Sequence, residues 1–211
     1  MAYNLEEQEQ IDALKAWWTD YGKLVMLGVI ACALTIAAFQ GWRYYRAQQA
    51  ERAAALYTQL DQARVAGEQK KVRDIAAQVI QSYGSTPYAG MAALAAAKAS
   101  FETGEIEDAR KNLQWAADKA RDEEMRDVAR FRLAGVLLDE KKYDEALKVL
   151  SEKSTEAYVA LFADRRGDVL AAQGKPAEAR AAYQVALDKS AASSQYRQLI
   201  EVKLDALGEA K

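Results

Sequence analysis

The 211-residue chain has no histidine, one cysteine and two prolines, and each shortage excludes something. Without imidazole, serine and cysteine hydrolases built on a histidine base, and zinc sites built on histidine, are ruled out. Cys32 alone forms no intrachain disulfide. Eleven glycines with Pro87 and Pro176 are too few for the many turns of a β sandwich. Charge of either sign is not in excess either, with 29 Lys and Arg against 31 Asp and Glu. What the chain has in quantity is alanine, 44 residues of the best helix former. These counts predict an all-α protein.

The apolar residues are concentrated near the N-terminus. From Leu24 to Phe39 sixteen residues run without a charge, and reaching Trp42 makes nineteen, with Gln40 the one strongly polar intruder. That is about 28 Å of helix against a hydrocarbon core of roughly 30 Å. Trp17, Trp18 and Tyr21 lie before the run and Trp42, Tyr44 and Tyr45 after it, where amphipathic rings anchor at the headgroup level. Lys23 and Arg43 can snorkel at its ends. A buried core helix would explain the run but not the paired girdles. We therefore read residues 1–23 as an acidic tail, 24–42 as a transmembrane helix in contact with lipid, and 43–211 as a separate domain.

Ala37-Ala38 and Val29-Ile30-Ala31-Cys32 superficially match cleavage and lipoprotein motifs. The leader instead carries Glu6, Glu7, Glu9, Asp12 and Asp20 against Lys15 and Lys23, which is not a basic signal leader. The apolar run also continues seven residues past Cys32, so the span reads as a retained anchor. Orientation is left open by charge. Lys15 and Lys23 precede the span and Arg43, Arg46 and Arg52 follow it, a lean of one charge toward a cytoplasmic C-terminal domain.

Residues 43–211 hold 27 basic and 26 acidic side chains, a balance with no footprint for nucleic acid. Helical stretches are broken at Gly67, Gly84-Ser85-Thr86-Pro87, Gly104, Lys141-Lys142, Gly174-Lys175-Pro176 and Ser190 to Ser194. Superposed, Ala97, Ala134 and Gly167 fall at one point of a first helix, and Gly104, Lys141 and Gly174 at the turn. Ala109, Ala146 and Ala179 then open a second helix, with Leu113, Leu150 and Tyr183 four residues later, at spacings of 37 and 33. Ala116 and Ala186 follow in two of the three copies. This is a tetratricopeptide-like rhythm, in which small residues let paired helices approach closely. A degenerate copy lies upstream with its turn at Gly67, where Leu60 and Val72 replace the small residues. Gln195 to Leu207 fits a capping helix. No proline or glycine occurs between Trp42 and Gly67, which predicts one helix running from the span into the first repeat.

Chemistry is scarce. There is no phosphate-binding glycine loop and no Cys/His cluster, so no cofactor or metal is expected. Asp164 and Asp168, one helical turn apart, read as a solvated pair neutralised by Arg165, Arg166 and other basic neighbours rather than as a catalytic site. The chain reads as a non-enzyme; a hydrolase or isomerase would need a clustered polar site. Gly28 and Cys32, one helical turn apart, could admit a second membrane helix, although small residues are common in spans. First helices of successive hairpins line the concave face, and repeat proteins bind partners there. The register points Met91, Leu94, Lys98, Phe101, Val128, Phe131 and Leu138 toward it. Such a groove suits unfolded or helical client segments, while the same side chains also suit packing between hairpins.

The chain carries, in order, Gln10-Ile11-Asp12-Ala13-Leu14-Lys15-Ala16-Trp17-Trp18, Gly22-Lys23, Gly41-Trp42-Arg43-Tyr44, Tyr88-Ala89-Gly90-Met91-Ala92-Ala93-Leu94 and Ala163-Asp164-Arg165-Arg166-Gly167-Asp168-Val169-Leu170. In the order and spacing of these strings the whole layout resembles the YfgM family of bacterial inner-membrane proteins, ancillary subunits of the SecYEG translocon. The resemblance implies a cytoplasmic N-terminus, a periplasmic repeat domain, contact with SecYEG and association with the membrane-anchored chaperone PpiD. A rival reading is a cytoplasm-facing membrane-anchored scaffold for an unrelated complex, favoured by the charge count around the span.

Overall fold

A computed structural model describes residues 3–191 and 194–208, with side chains described from Glu7 onward. Glu6 of the acidic leader, and Ala192 and Ser193 of the last predicted break, therefore lie outside the described side chains and residues. The described residues form helices and turns: α1 (Tyr3–Val65), α2 (Gln69–Tyr83), α3 (Pro87–Glu102), α4 (Ile106–Lys119), α5 (Glu123–Asp139), α6 (Tyr143–Ser151), α7 (Val159–Ala172), α8 (Pro176–Lys189) and α9 (Gln195–Ala206). α1 is a single helix of 63 residues, as the absence of breakers after Trp42 predicts. The chain divides into two compact units, residues 1–48 and 49–211.

In the first unit the apolar side chains have no protein over them. Leu24 is 72% exposed and Leu27 68%, values that in water would forfeit about 1.5–3 kcal/mol for each such side chain. A hydrocarbon medium removes that penalty, and the helical geometry satisfies every backbone group inside the segment. Thr35 donates its hydroxyl to the Ala31 carbonyl at 2.8 Å, which satisfies the one hydroxyl in the apolar run.

In the second unit the helices pair as hairpins α3/α4, α5/α6 and α7/α8, preceded by the end of α1 with α2 and closed by α9. The register predicted from alanine spacing is the packing register. Ala97, Ala134, Ala109, Ala146 and Ala179 are at most 3% exposed, and Leu113, Leu150 and Tyr183 fill between them. In the degenerate first copy Leu60 and Val72 are buried at the same places. The turn residues agree: Gly67, Gly104 and Gly174 have φ of 73°, 79° and 78°, and Lys141 adopts the same left-handed conformation at 59°. A lysine there accepts strain that glycine avoids.

Gly167 stands where the other copies have alanine because its partner is larger. A Cβ on Gly167 would lie 2.4 Å from the Tyr183 ring, an impossible approach. Two further breaks, which carry neither glycine nor proline, separate α4 from α5 and α6 from α7. Asp122 caps α5, accepting from the Met125 N–H at 3.0 Å. α6 is only 9 residues long, against 14 for α4 and α8, and the chain after it is pinned by Asp127. Fully buried, Asp127 accepts both the Thr155 N–H and the Thr155 hydroxyl at 2.8 Å and pairs with Arg130 at 3.4 Å.

Candidate functional site

α3 and α5 line an open cavity of about 330 Å³. α3 presents Leu94, Lys98 and Phe101, one face of a helix at spacings of four and three. α5 contributes Phe131, Arg132, Gly135, Val136 and Asp139, and Ala97 and Leu113 form the floor. Arg165 reaches in from α7, its guanidinium carbon 4.4 Å above the centre of the Phe131 ring. A Cβ at position 135 would stand 3.6 Å from an Arg165 terminal nitrogen, an ordinary contact distance, so Gly135 lies directly against the guanidinium. Phe101 remains 46% exposed at the mouth.

Of the residues that the register points to the groove, Leu94, Lys98, Phe101 and Phe131 meet in this cavity. Met91 and Val128 are half-buried outside its lining, and Leu138 packs against the buried cluster of the second hairpin. Arg132, Gly135, Val136 and Asp139 are lining residues that sequence reasoning passes over, and Arg165 is one that it assigns to Asp164 and Asp168 instead. Arg132 and Arg165 occupy one register position 33 residues apart, a signal present in the sequence. A larger cleft, about 640 Å³, opens between α4, α5 and α6; its rim mixes Arg110, Lys111 and Lys148 with Asp118, Glu145 and Glu152.

Asp164 and Asp168 are not a solvated pair, and their partners are not Arg165 and Arg166. Asp164 is 4% exposed and receives Lys203 at 2.9 Å and the Tyr196 hydroxyl at 2.7 Å, both from α9. Lys203 also reaches Asp168 at 2.7 Å, and the Tyr183 hydroxyl donates to Asp168 at 2.9 Å. Arg166 turns instead to the Leu150 carbonyl at 3.0 Å. Burial first, then the adjoining carboxylates, pushes the ionisation of both tyrosines well above the ordinary phenol range. Neutral tyrosines and a charged lysine thus hold two carboxylates, which makes the cluster a clamp on α9 with every charge engaged.

At the ends of the apolar run the aromatic side chains are exposed, Trp17 at 47% and Trp42 at 50%. Trp17 lies 5.8 Å from Tyr21, and Arg46 stacks 4.0 Å over the Trp42 ring. Tyr21 and Trp42 are about 31 Å apart along an ideal helix, the thickness of a hydrocarbon core. Trp18, Tyr44 and Tyr45 are exposed beside them. Cys32 is exposed on the same helix, and among the described residues a Cβ on Gly28 would meet nothing within 4 Å.

A helical-hairpin repeat domain behind one long apolar helix defines the class: a tetratricopeptide-like protein with a candidate single membrane span. The family model described as a tetratricopeptide repeat-like domain matches residues 15–209. Proteins named ancillary SecYEG translocon subunit are similar over nearly the whole chain. The one from Neisseria gonorrhoeae is 33% identical over 208 residues, 98% of this chain and all of the relative. Those from Haemophilus influenzae and Escherichia coli are 31% and 30% identical, covering 98% and 95% of this chain and 100% and 96% of their own lengths. The chain belongs to this family of ancillary SecYEG translocon subunits. That kinship and the exposed apolar helix fit a single-pass inner-membrane protein.

Proposed function

We propose that this chain is a non-enzymatic adaptor of the SecYEG protein-export channel, anchored by residues 24–42 with its tail, residues 1–23, in the cytoplasm and its repeat domain, residues 43–211, in the periplasm. The domain joins the channel to a PpiD-like membrane-anchored chaperone and holds emerging client segments near the exit. What carries this reading is end-to-end similarity to relatives named for that channel. The cavity lined by Leu94, Lys98, Phe101 and Phe131 supports it by offering an apolar seat on the face where hairpin repeats take partners. The charge count is a weak counterargument because its lean is one charge, and a long following domain crosses largely regardless of charge.

The test begins with topology. A C-terminal tag removed by protease in intact spheroplasts supports the periplasmic domain; protection until lysis supports the cytoplasm-facing scaffold instead. A photocrosslinker at Phe101 should then join SecYEG or the chaperone, and Phe101→Ala with Phe131→Ala should lower that yield while the helical content is kept. An unchanged yield in the folded double variant removes the groove from the mechanism.

A further inference from the structure

We propose that the α3/α5 cavity recognises a polypeptide segment carrying an apolar side chain flanked by a carboxylate, with Arg165 as the residue that reads the acid. The inference rests on the adaptor reading only for the groove being a partner surface. Its own basis is charge and unmet bonding.

Three cations, Lys98, Arg132 and Arg165, ring the cavity against one carboxylate, Asp139. Among the described residues Arg132 and Arg165 have no carboxylate within ion-pairing distance, whereas Lys98 reaches Glu102 at 3.6 Å. The Nε of Arg165 is buried and lacks a hydrogen-bond partner. Its guanidinium carbon lies 4.4 Å from the centre of the Phe131 ring, a cation–π contact that favours this placement of the side chain before anything binds. A planar fork in a partly desolvated site suits a carboxylate, whose charge-assisted hydrogen bonds to its terminal nitrogens are stronger there than in water. The apolar half of the site is equally specific. Leu94, Phe101 and Phe131 leave a space of side-chain scale, about 330 Å³, next to that fork. An apolar anchor and an acid on neighbouring turns of one segment would fill both at once.

The full-length chain in lipid nanodiscs would be used to select from a displayed library of random short peptides, with empty nanodiscs as subtraction. The expected outcome is enrichment of sequences pairing an aliphatic or aromatic residue with Asp or Glu. A synthetic peptide of the enriched sequence should bind Arg165→Gln about tenfold more weakly, and its Glu→Gln form should lose about as much, the two losses overlapping rather than adding. Arg165→Lys, which keeps the charge and loses the fork, should fall between; circular dichroism confirms that each variant is folded. Enrichment without acid preference, or additive losses, would overturn the inference and leave the adaptor reading standing on its crosslinks. No enrichment above empty nanodiscs would overturn this site altogether, and failure to crosslink to SecYEG would separately overturn the adaptor reading.

Discussion

One position of the repeat register is Leu94 in α3, Phe131 in α5 and Asp164 in α7, at spacings of 37 and 33. The first two line an open apolar cavity, while the third is buried under the capping helix and bonded to Lys203 and Tyr196. A second position repeats the contrast, with Lys98 and Gly135 at the cavity and Asp168 in the clamp. The same scaffold slot therefore serves as an open seat in the middle of the domain and as a sealed joint at its end. The difference lies in what the next helix brings. α9 supplies a lysine and a tyrosine that engage the carboxylates, whereas Arg165 of α7 stacks on a ring and keeps its own donors unspent.

The joint should fail hardest when its buried acid is removed. Asp164→Ala leaves Tyr196 without its acceptor and Lys203 with one carboxylate instead of two, and should cost about 2–3 kcal/mol, read as a lowered midpoint in urea unfolding of the full chain in detergent. Arg165→Gln at the open seat should stay within about 1 kcal/mol of the parent by the same measurement, since no ion pair is lost.

Gly167→Ala comes next, at about 1–3 kcal/mol, because the added methyl meets the Tyr183 ring at 2.4 Å. Adding Tyr183→Leu restores the alanine and leucine pair of the other hairpins and should recover much of the loss in a double-mutant cycle. An uncorrected double variant would show that the Tyr183 bond to Asp168, not the steric fit, governs the site.

Smaller still, Lys141→Gly should stabilise by about 1 kcal/mol, since it removes a side chain from a left-handed residue that glycine adopts freely. The mildest effect is a slope with pH. Tyr183 and Tyr196 ionise above their ordinary value in the folded chain, so their contribution is complete below about pH 10 and declines as pH rises beyond it. Tyr183→Phe with Tyr196→Phe should flatten that alkaline decline; an unaltered slope would deny the phenols any part in it.

Much of this was legible in the chain. Alanine spacing located the hairpins because small residues at a fixed period are a packing requirement, and glycines at 67, 104 and 174 marked turns that need a positive φ. Lys141 was legible through alignment with those glycines, where composition would have missed it. The breaks around Ala120 and Ser151 were harder. Asp122 is an ordinary N-cap signal with no glycine or proline beside it, while the loop at Thr155 is held by a contact with Asp127, 28 residues away in sequence, which no local pattern reveals.

The residue pattern alone determined the helices and the apolar span between its aromatic girdles, because each depends on residues along one helix, and the hairpin register, because the same small residues recur every 33 to 37 positions. Only the tertiary structure decided the fate of the charges. Asp164 and Asp168 face a lysine 35 to 39 residues downstream rather than the arginines beside them, and Arg165 leaves its own neighbours to lie on Phe131 of the preceding hairpin. Successive side chains on a helix diverge by about 100°, so adjacency in sequence separates such groups and packing between helices reunites them with partners the sequence keeps far apart.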